Sequence, residues 1–551
     1  MQLRQSNIEK LARTTYDVLI IGGGINGAVS AAALAGKGVK TALIDKGDFA
    51  GFTSMNSSNL AWGGIKYMET YDFALVRSLC MSRNHLIKNY PSTIKEIRFL
   101  TTISKGFRHH PLKLWAGTWL YWLIGNCFTR IPRLLSAQQI RGEEPIVNTN
   151  DSIGGFEYSD AYLYDNDARF VFNFIRSALS RGCIAANYVE SLGGERESDI
   201  WTIKAREVTE GGEFEIRAKV LINAAGPFVD QHNKLTGQRT EHHHAFSKGI
   251  HLIVKRLTPN HRVLAFFADD GRLFFVIPMG ARTCIGTTDT RVDDPVVHVT
   301  IEDIDFVLGN INKRLKLDQS LTRDDIIATR CGVRPLAVKA ETEGTRDFLQ
   351  LSRKHALDID LQGNHVSIYG GKLTDCINVG NEICDAVDSM GIDIPHKGYK
   401  WYGEPPDEIK AEFLHQAGLM DLDGYTSPES SEKLTTRLWR RYGAQAIGLL
   451  ENIREDPRQA EILIRGTEYI RWEINQAARR EMIVKLEDFL RRRSKIALVA
   501  GKDDIKNSPG LMEACEILFG DQAAEKFDEY FRDQKASELE MPCAAPGIRQ
   551  I

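Results

Sequence analysis

Tyr16-Asp-Val-Leu-Ile-Ile-Gly-Gly-Gly-Ile-Asn-Gly27 sets the reading of the whole chain. Tyr16 to Ile21 is a short apolar run of strand type. Three glycines follow, then an alanine-rich helical stretch from Ala28 to Ala35 that Gly36 and Gly38 close. Val39 to Asp45 reads as a second strand, so β–turn–α–β is complete within about thirty residues. Gly22, Gly24 and Gly27 fit G-x-G-x-x-G. The first permits the tight turn, the second lets backbone approach a diphosphate, and the third lets helix and strand pack closely. The helix N-terminus offers N–H donors and partial positive charge to phosphates. Asp45, ending the second strand, can accept from ribose hydroxyls. The unit predicts dinucleotide binding; its extreme N-terminal place and the distant return segments favour FAD over NAD.

Outward from this unit, Gly51 to Gly64 is rich in Ser, Asn, Gly and Thr and reads as a long functional loop. Helix is expected over Tyr71–Asn89, Phe170–Gly182 and Leu373–Met390. Strand is expected over Ile184–Glu190, Val220–Gly226, His251–Val254, Arg272–Pro278, Thr283–Thr287 and Val366–Gly371. After about Tyr399 glycines thin out and helical periodicity takes over, as in Thr435–Ile453, Arg458–Leu463 and Glu481–Ala500. The predicted fold is α/β. A Rossmann-like, discontinuous FAD-binding domain (about 14–95, 150–240 and 330–395) carries inserted regions at about 96–149 and 241–329. The latter is an antiparallel-sheet substrate domain, and an all-helical cap follows at 396–551.

The 551 residues exceed the ~100–200 of one domain. With 43% hydrophobic and 26% charged residues the composition is globular, which argues against disorder, collagen or coiled coil. Lys plus Arg is 70 against 73 Asp plus Glu, a net charge of −3, so no nucleic-acid partner is expected. Nine widely spaced cysteines without a Cys-x-x-Cys imply neither a disulfide framework nor a thiolate metal site. No metal is expected at His109-His110 or His242-His243-His244 either. Met1 to Thr15 has no apolar run, so no secretory signal is expected.

One segment is electrostatically odd. Ile97 to Gly142 contains no Asp or Glu, while Arg98, Lys105, Arg108, Lys113, Arg130, Arg133 and Arg141 are basic. Between them lies Leu114-Trp-Ala-Gly-Thr-Trp-Leu-Tyr-Trp-Leu-Ile124. Trp115, Trp119 and Trp122 stand at i, i+4 and i+7, on one helix face. Leu114 to Thr129 is shorter than the ~20 residues of a spanning helix. Cations flanking interfacial aromatics suit a helix lying in a bilayer surface, and the competing reading is an internally packed or dimer-interface helix.

Several blocks converge on one family: Ile20–Gly27, Thr53-Ser-Met-Asn-Ser-Ser58, Gly63-Gly-Ile-Lys-Tyr67, Gly155-Phe-Glu-Tyr-Ser-Asp160 and Asn223-Ala-Ala-Gly-Pro227. Further along come Ile285-Gly-Thr-Thr-Asp289, Gly332-Val-Arg-Pro-Leu336, Tyr369-Gly-Gly-Lys-Leu-Thr374 and Glu481–Arg493. In order and over most of the chain, they resemble the FAD-dependent glycerol-3-phosphate dehydrogenases of the quinone-linked, aerobic type. The resemblance implies FAD contacts at Gly22, Gly24, Gly27, Asp45, Thr53, Ser54, Ser57, Ser58, Gly63, Gly64, Val189, Ala225, Gly226, Gly371, Lys372, Leu373 and Thr374. It implies substrate contacts at Lys66, Tyr67, Thr288, Arg334 and Lys372, and catalysis by His251, Arg334 and Lys372, with His251 as general base. It also implies a small phosphorylated polyol as substrate and a membrane quinone as acceptor. An anionic lipid surface would be met through about 97–136, at the inner face of a cytoplasmic membrane, and a homodimer is an open expectation. The family loop reads Ser-Ser-Lys-Leu-Ile-His-Gly-Gly-Leu-Arg-Tyr. Here Asn59, Trp62 and Lys66 stand where it has lysine, histidine and arginine. Lys66 keeps charge but loses the bidentate fork, and Trp62 brings no acid–base group, only a flat apolar surface. These changes keep open a different small anionic hydroxy compound, an oxidase, or a flavin-binding protein without turnover.

Overall fold

A computed structural model describes residues 3–107, 110–268, 271–339, 354–428, 430, 432–533 and 541–542. Arg108, His109 and Cys543 lie outside the described residues.

The first strand, Thr15–Ile21, is apolar and buried because it lies inside a parallel sheet covered on both faces. In space the order is His365–Tyr369, Glu213–Asn223, Thr15–Ile21, Thr41–Ile44 and Ile184–Ala186, all parallel. Three antiparallel strands, Ala356–Asp360, Ile200–Glu207 and Val189–Glu197, extend it. Helix Ile25–Gly36 packs between helices Asp167–Ser180 and Cys376–Ser389. Its alanines are buried on every side, which is why small residues are needed there: a large side chain would push neighbouring helices away.

A second sheet runs Thr290–Val292, His242–Lys255, Arg282–Gly286, Leu273–Met279, Arg262–Phe267, Ile94–Ser104, Ser152–Leu163 and Leu60–Ala61. Ala328–Lys339 pairs with His242–Lys255, and Arg133–Leu135 with Ser152–Leu163. The strands within 241–329 pair antiparallel with one another, as expected, and the sheet as a whole is mixed through one parallel pairing, Arg262–Phe267 with Ile94–Ser104, a strand outside that region.

Beyond 396 the described chain is helical, apart from a two-residue strand, Met541–Pro542. Two long helices expected there are interrupted. The one over Thr435–Ile453 breaks into Leu434–Tyr442 and Ala446–Glu455 at Gly443, whose φ is +54°. The one over Glu481–Ala500 reduces to a π-helical turn, Asp488–Arg493, and a short helix, Ile496–Val499. The chain breaks at Met482, whose φ is +52°. Arg492 and Arg493 turn inward onto Asp48, a carboxylate of the nucleotide-binding unit, instead of lying on a solvated helix face. Arg458–Leu463 likewise forms only a 3-10 turn, Pro457–Ala460.

Candidate active site

The glycine turn is built as its spacing requires. Gly22 has φ +106°, and a Cβ there would lie 2.4 Å from the Ala224 carbonyl oxygen. A Cβ on Gly27 would lie 1.8 Å from the Gly22 carbonyl oxygen. Gly24 is the N-cap of Ile25–Gly36 and offers no side-chain cap. The loop serine supplies one acceptor instead: Ser54 Oγ accepts from the Ile25 amide at 3.0 Å. Asp45 accepts from the Gly23 amide at 2.6 Å and the Gly47 amide at 2.8 Å. Burial pushes its carboxyl up to about 6, against the lowering effect of those two amides. Each oxygen keeps another lone pair for a hydroxyl donor. A bare helix N-terminus behind a turn that excludes side chains, with a carboxylate beside it, fits a dinucleotide diphosphate and ribose.

Distant segments return to this turn. Ala224 and Ala225 back Gly22, and Gly226 follows with φ +57°. Asn26 Nδ2 donates to the Gly370 carbonyl at 3.0 Å, while the Gly370 amide donates to His244 Nε2 at 3.0 Å. The Gly370 peptide is thus held at both ends. Gly371, φ +106°, approaches the Asn26 side chain where a Cβ would meet it at 3.0 Å. Leu373 and Thr374 lie in the 3-10 turn that follows, with Thr374 buried. Val189 donates its amide to the Asp45 carbonyl at 2.8 Å.

The Ser/Thr loop is anchored to the second sheet. Thr53 Oγ1 donates to the Val333 carbonyl at 3.0 Å. The Ser57 amide donates to Asp167 at 2.8 Å, its Oγ accepts from the Asn59 amide at 3.1 Å, and Ser58 between them is half-buried. Gly63 donates to Asp160 at 3.0 Å, and Tyr121 reaches the same carboxylate at 2.8 Å. Gly64, φ +80°, starts the turn that carries Lys66 and Tyr67. Lys372 Nζ donates to Tyr67 Oη at 3.3 Å and lies 4.6 Å from the ring centroid, with Lys66 Nζ at 5.6 Å from that centroid. Two expected substrate cations therefore share one tyrosine.

The third group stands on paired strands. Arg334 faces Ser247 in register, and its guanidinium lies over Gly249, where a Cβ would meet it at 2.2 Å. It donates to Thr287 Oγ1 at 2.7 Å and to the Thr288 carbonyl at 3.2 Å, with Asp289 at 3.5 Å. Thr288 Oγ1 accepts from the Ile250 amide at 3.1 Å. His251 is buried, and neither ring nitrogen has a hydrogen-bond partner among the described residues. Burial first, then Arg330 and Arg334, push it down to about 3, so the imidazole is neutral at neutral pH.

Several groups escaped the sequence reading. Arg330 precedes the quoted Gly332–Leu336 block by two residues and carries no motif of its own. Asp160 and Arg492–Arg493 lay inside quoted blocks without an assigned part. Trp62 is half-buried, donates to Tyr158 Oη at 3.3 Å and meets the Phe275 ring edge-on.

The aromatic helix spans Pro111–Ile124. Trp115, Trp119 and Trp122 form an edge-to-face ladder, with centroids 5.9 and 5.4 Å apart, and are half-buried. The outward face is aliphatic: Leu112 is 54%, Leu120 42% and Leu123 55% exposed, and Ile131 and Leu134 are exposed nearby. Arg98 turns inward to Glu157 at 2.8 Å and is not a surface cation. Among the described residues no helix is long and apolar enough to cross a membrane.

Residues 17–352 match the family model of FAD dependent oxidoreductases, and residues 396–525 match the C-terminal domain of alpha-glycerophosphate oxidase. The chain is 30% identical over 520 residues to a glycerol-3-phosphate dehydrogenase of Pseudomonas tolaasii, covering 89% of this chain and 94% of that one. It is 29% identical over 511 residues to the aerobic glycerol-3-phosphate dehydrogenase of Bacillus subtilis, covering 89% of each. In fold it is similar to a crystal structure of the glycerol-3-phosphate dehydrogenase from Bacillus halodurans complexed with FAD. The TM-score is 0.72 at 22% identity, with 100% of this chain and 99% of that chain covered.

Proposed function

The chain belongs to the FAD-dependent oxidoreductases, within them to the glycerol-3-phosphate dehydrogenases, and from that premise we propose that it oxidises sn-glycerol 3-phosphate to dihydroxyacetone phosphate and passes the electrons to a membrane quinone. One observation carries the reading: His251 is buried, neutral and unpartnered on both nitrogens, beside Arg334 and Thr288. A neutral imidazole with a free lone pair can take the proton of a substrate hydroxyl. FAD supplies the acceptor for the hydride that leaves the same carbon.

The remaining residues have separable parts. Gly22, Gly24, Gly27 and Asp45 hold the dinucleotide end of FAD, and Thr53 to Ser58, Gly63, Gly64 and Gly371 to Thr374 border the flavin end. Lys66, Tyr67, Arg334 and Lys372 orient the phosphate, each charge-assisted hydrogen bond contributing ~1.5–3 kcal/mol. An anion arriving beside His251 offsets the two guanidiniums that hold its proton affinity down, so the base gains strength as substrate binds.

The outward leucines of Pro111–Ile124, with Lys105 and Lys113 nearby, support peripheral attachment to the inner face of a cytoplasmic membrane, where quinone dissolves. Each cation near anionic lipid contributes ~1 kcal/mol.

The test is anaerobic. The FAD-loaded protein is mixed with a panel of phosphorylated and free polyols, and loss of the visible flavin band is followed. Glycerol 3-phosphate bleaches the wild type, and His251→Asn slows the bleaching by about 100-fold or more. A flavin that dithionite bleaches and no polyol phosphate does would overturn the substrate. Peroxide release in air, compared with reduction of a quinone analogue, decides the acceptor.

A further inference from the structure

Arg330 sits on Ala328–Lys339 directly across the strand pair from His251, so their side chains project from the same face. It is 1% exposed. Its Nη1 donates to the Ser57 carbonyl at 2.5 Å and to Asn59 Oδ1 at 2.6 Å. Asp167, whose Oδ2 accepts from the Ser57 amide at 2.8 Å, lies 3.8 Å from the same guanidinium. An Arg–Asp pair therefore grips one loop residue, Ser57, by its N–H and its C=O. Asn59 can receive the guanidinium because its own amide is fixed: with φ +57° it donates to the Leu163 carbonyl at 3.2 Å and the Asp165 carbonyl at 2.5 Å. Arg330 Nε is buried with no partner among the described residues, as are both nitrogens of His251.

We infer that Arg330 is a positioning residue that couples the FAD loop to the base. Its Nη1 holds Ser57 and Asn59 together, and its charge lies beside His251. This rests on the reading of Ser57 as a flavin contact and His251 as the base. Among the described residues the charges facing His251 come from one strand. From the facing strand come Arg330 and Arg334, whose own counter-ions are Asp167 and Asp289, and the flanking strand presents Gly286 with no charge. A lysine at 330 keeps the charge, but its shorter side chain ends before the position of Nη1 and leaves the two loop acceptors unreached, while methionine keeps only the bulk. The two parts are therefore separable.

FAD affinity, measured by quenching of flavin fluorescence, should weaken about tenfold or more in both Arg330→Lys and Arg330→Met, since both lose the charge-assisted bonds to the loop. The pH profile of kcat/KM should separate them. Arg330→Met should carry the acid limb upward by about half a unit to one unit, because a neighbouring cation no longer opposes protonation of His251. Arg330→Lys should leave it in place. Asn59→Ala, which removes the acceptor while leaving the charge, should weaken FAD and not move the limb. If either arginine variant fails to fold, Asn59→Ala still decides the loop part. Wild-type affinity and an unmoved limb in Arg330→Met would overturn the inference. Wild-type protein that takes up no FAD, or is never bleached by substrate, would instead overturn the functional reading beneath it.

Discussion

The helical cap is fastened to the nucleotide-binding unit at Asp48, and removing that carboxylate should loosen both. Asp48 is fully buried and accepts from Arg492 Nε at 2.7 Å, from Arg493 Nη1 and Nη2 at 2.8 Å each, and from Asn187 at 2.8 Å. In Asp48→Asn the amide points two donors at guanidiniums that are themselves donors. Arg492 retains Asp488 at 2.5 Å. Among the described residues Arg493 retains the Glu481 carbonyl, at 3.0 Å, and the Phe172 ring, its centroid 4.0 Å from the guanidinium carbon, while its side chain remains 1% exposed. Stranding one partner of a buried ion pair costs about 3–5 kcal/mol. The urea midpoint of Asp48→Asn should fall accordingly with unchanged slope, and FAD affinity should fall with it, because Asp48 lies in the turn after Asp45. Asp48→Asn with Arg493→Met removes the stranded charge and should regain a large part of the loss. The pH dependence has a definite sign. Burial alone would raise the Asp48 carboxyl, but Arg493 and Arg492 override it and hold it below the usual range. Its stabilisation is therefore present above about pH 3.9 and lost as pH falls through the lowered value. A single variant within about 0.5 kcal/mol of wild type, or a double variant no better than the sum, would refute the argument.

Gly27→Ala should fold and lose FAD. Its Cβ would meet the Gly22 carbonyl oxygen at 1.8 Å, so the turn must open, and flavin retention on desalting should drop while overpacking costs ~1–3 kcal/mol in the urea midpoint. His355 bonds Asp375 and Glu382 at 2.8 Å each, next to the Lys372–Thr374 turn. Burial lowers its proton affinity, but those two carboxylates outweigh burial and raise it above the usual value. Its contribution is fully present below about pH 6.5 and disappears as pH rises through the raised value, so His355→Asn should flatten the urea midpoint between neutral and alkaline pH. Tyr121→Phe removes the hydroxyl that reaches Asp160 at 2.8 Å. It should cost about 1–3 kcal/mol and shift the flavin absorbance maximum, since Gly63 hangs from the same carboxylate.

What could be read from sequence was local. Strand, glycine turn, helix and acidic residue follow one another between Tyr16 and Asp45, so the chemistry is set by neighbours in the chain and periodicity finds it. The Gly370–Lys372 loop and the Tyr67 pair were found through resemblance, not spacing, because 305 residues separate Lys372 from the tyrosine it touches. Arg330 was invisible for the same reason. Its partners Ser57 and Asn59 lie more than 270 positions away, and only strand register brings it opposite His251. The region after Glu481 failed differently. Arg491, Arg492 and Arg493 are consecutive, and nothing in their sequence says that a buried aspartate elsewhere draws two of them inward. The tryptophan face of Pro111–Ile124 illustrates a related point. Aromatic rings at i, i+4 and i+7 pack on one another as readily as on lipid, and the leucines were left facing out.

The three loop departures therefore do not carry equal weight for specificity. Asn59 gives its side chain to protein partners: its amide closes on two carbonyls and its oxygen receives Arg330. A lysine there would offer a cation where the structure supplies one from the strand behind, so the exchange at 59 rearranges the scaffold. Trp62 is absorbed by Tyr158 and Phe275. Lys66 alone of the three stands beside Tyr67 and, through it, Lys372, the residues proposed to hold substrate. Any change in what the enzyme prefers falls on the geometry of a point charge replacing a fork, which weakens the hold on a planar carboxylate more than on a phosphate that rotates to meet it. Lys66→Arg should accordingly raise KM selectivity for carboxylate-bearing hydroxy compounds and leave glycerol 3-phosphate nearly unchanged.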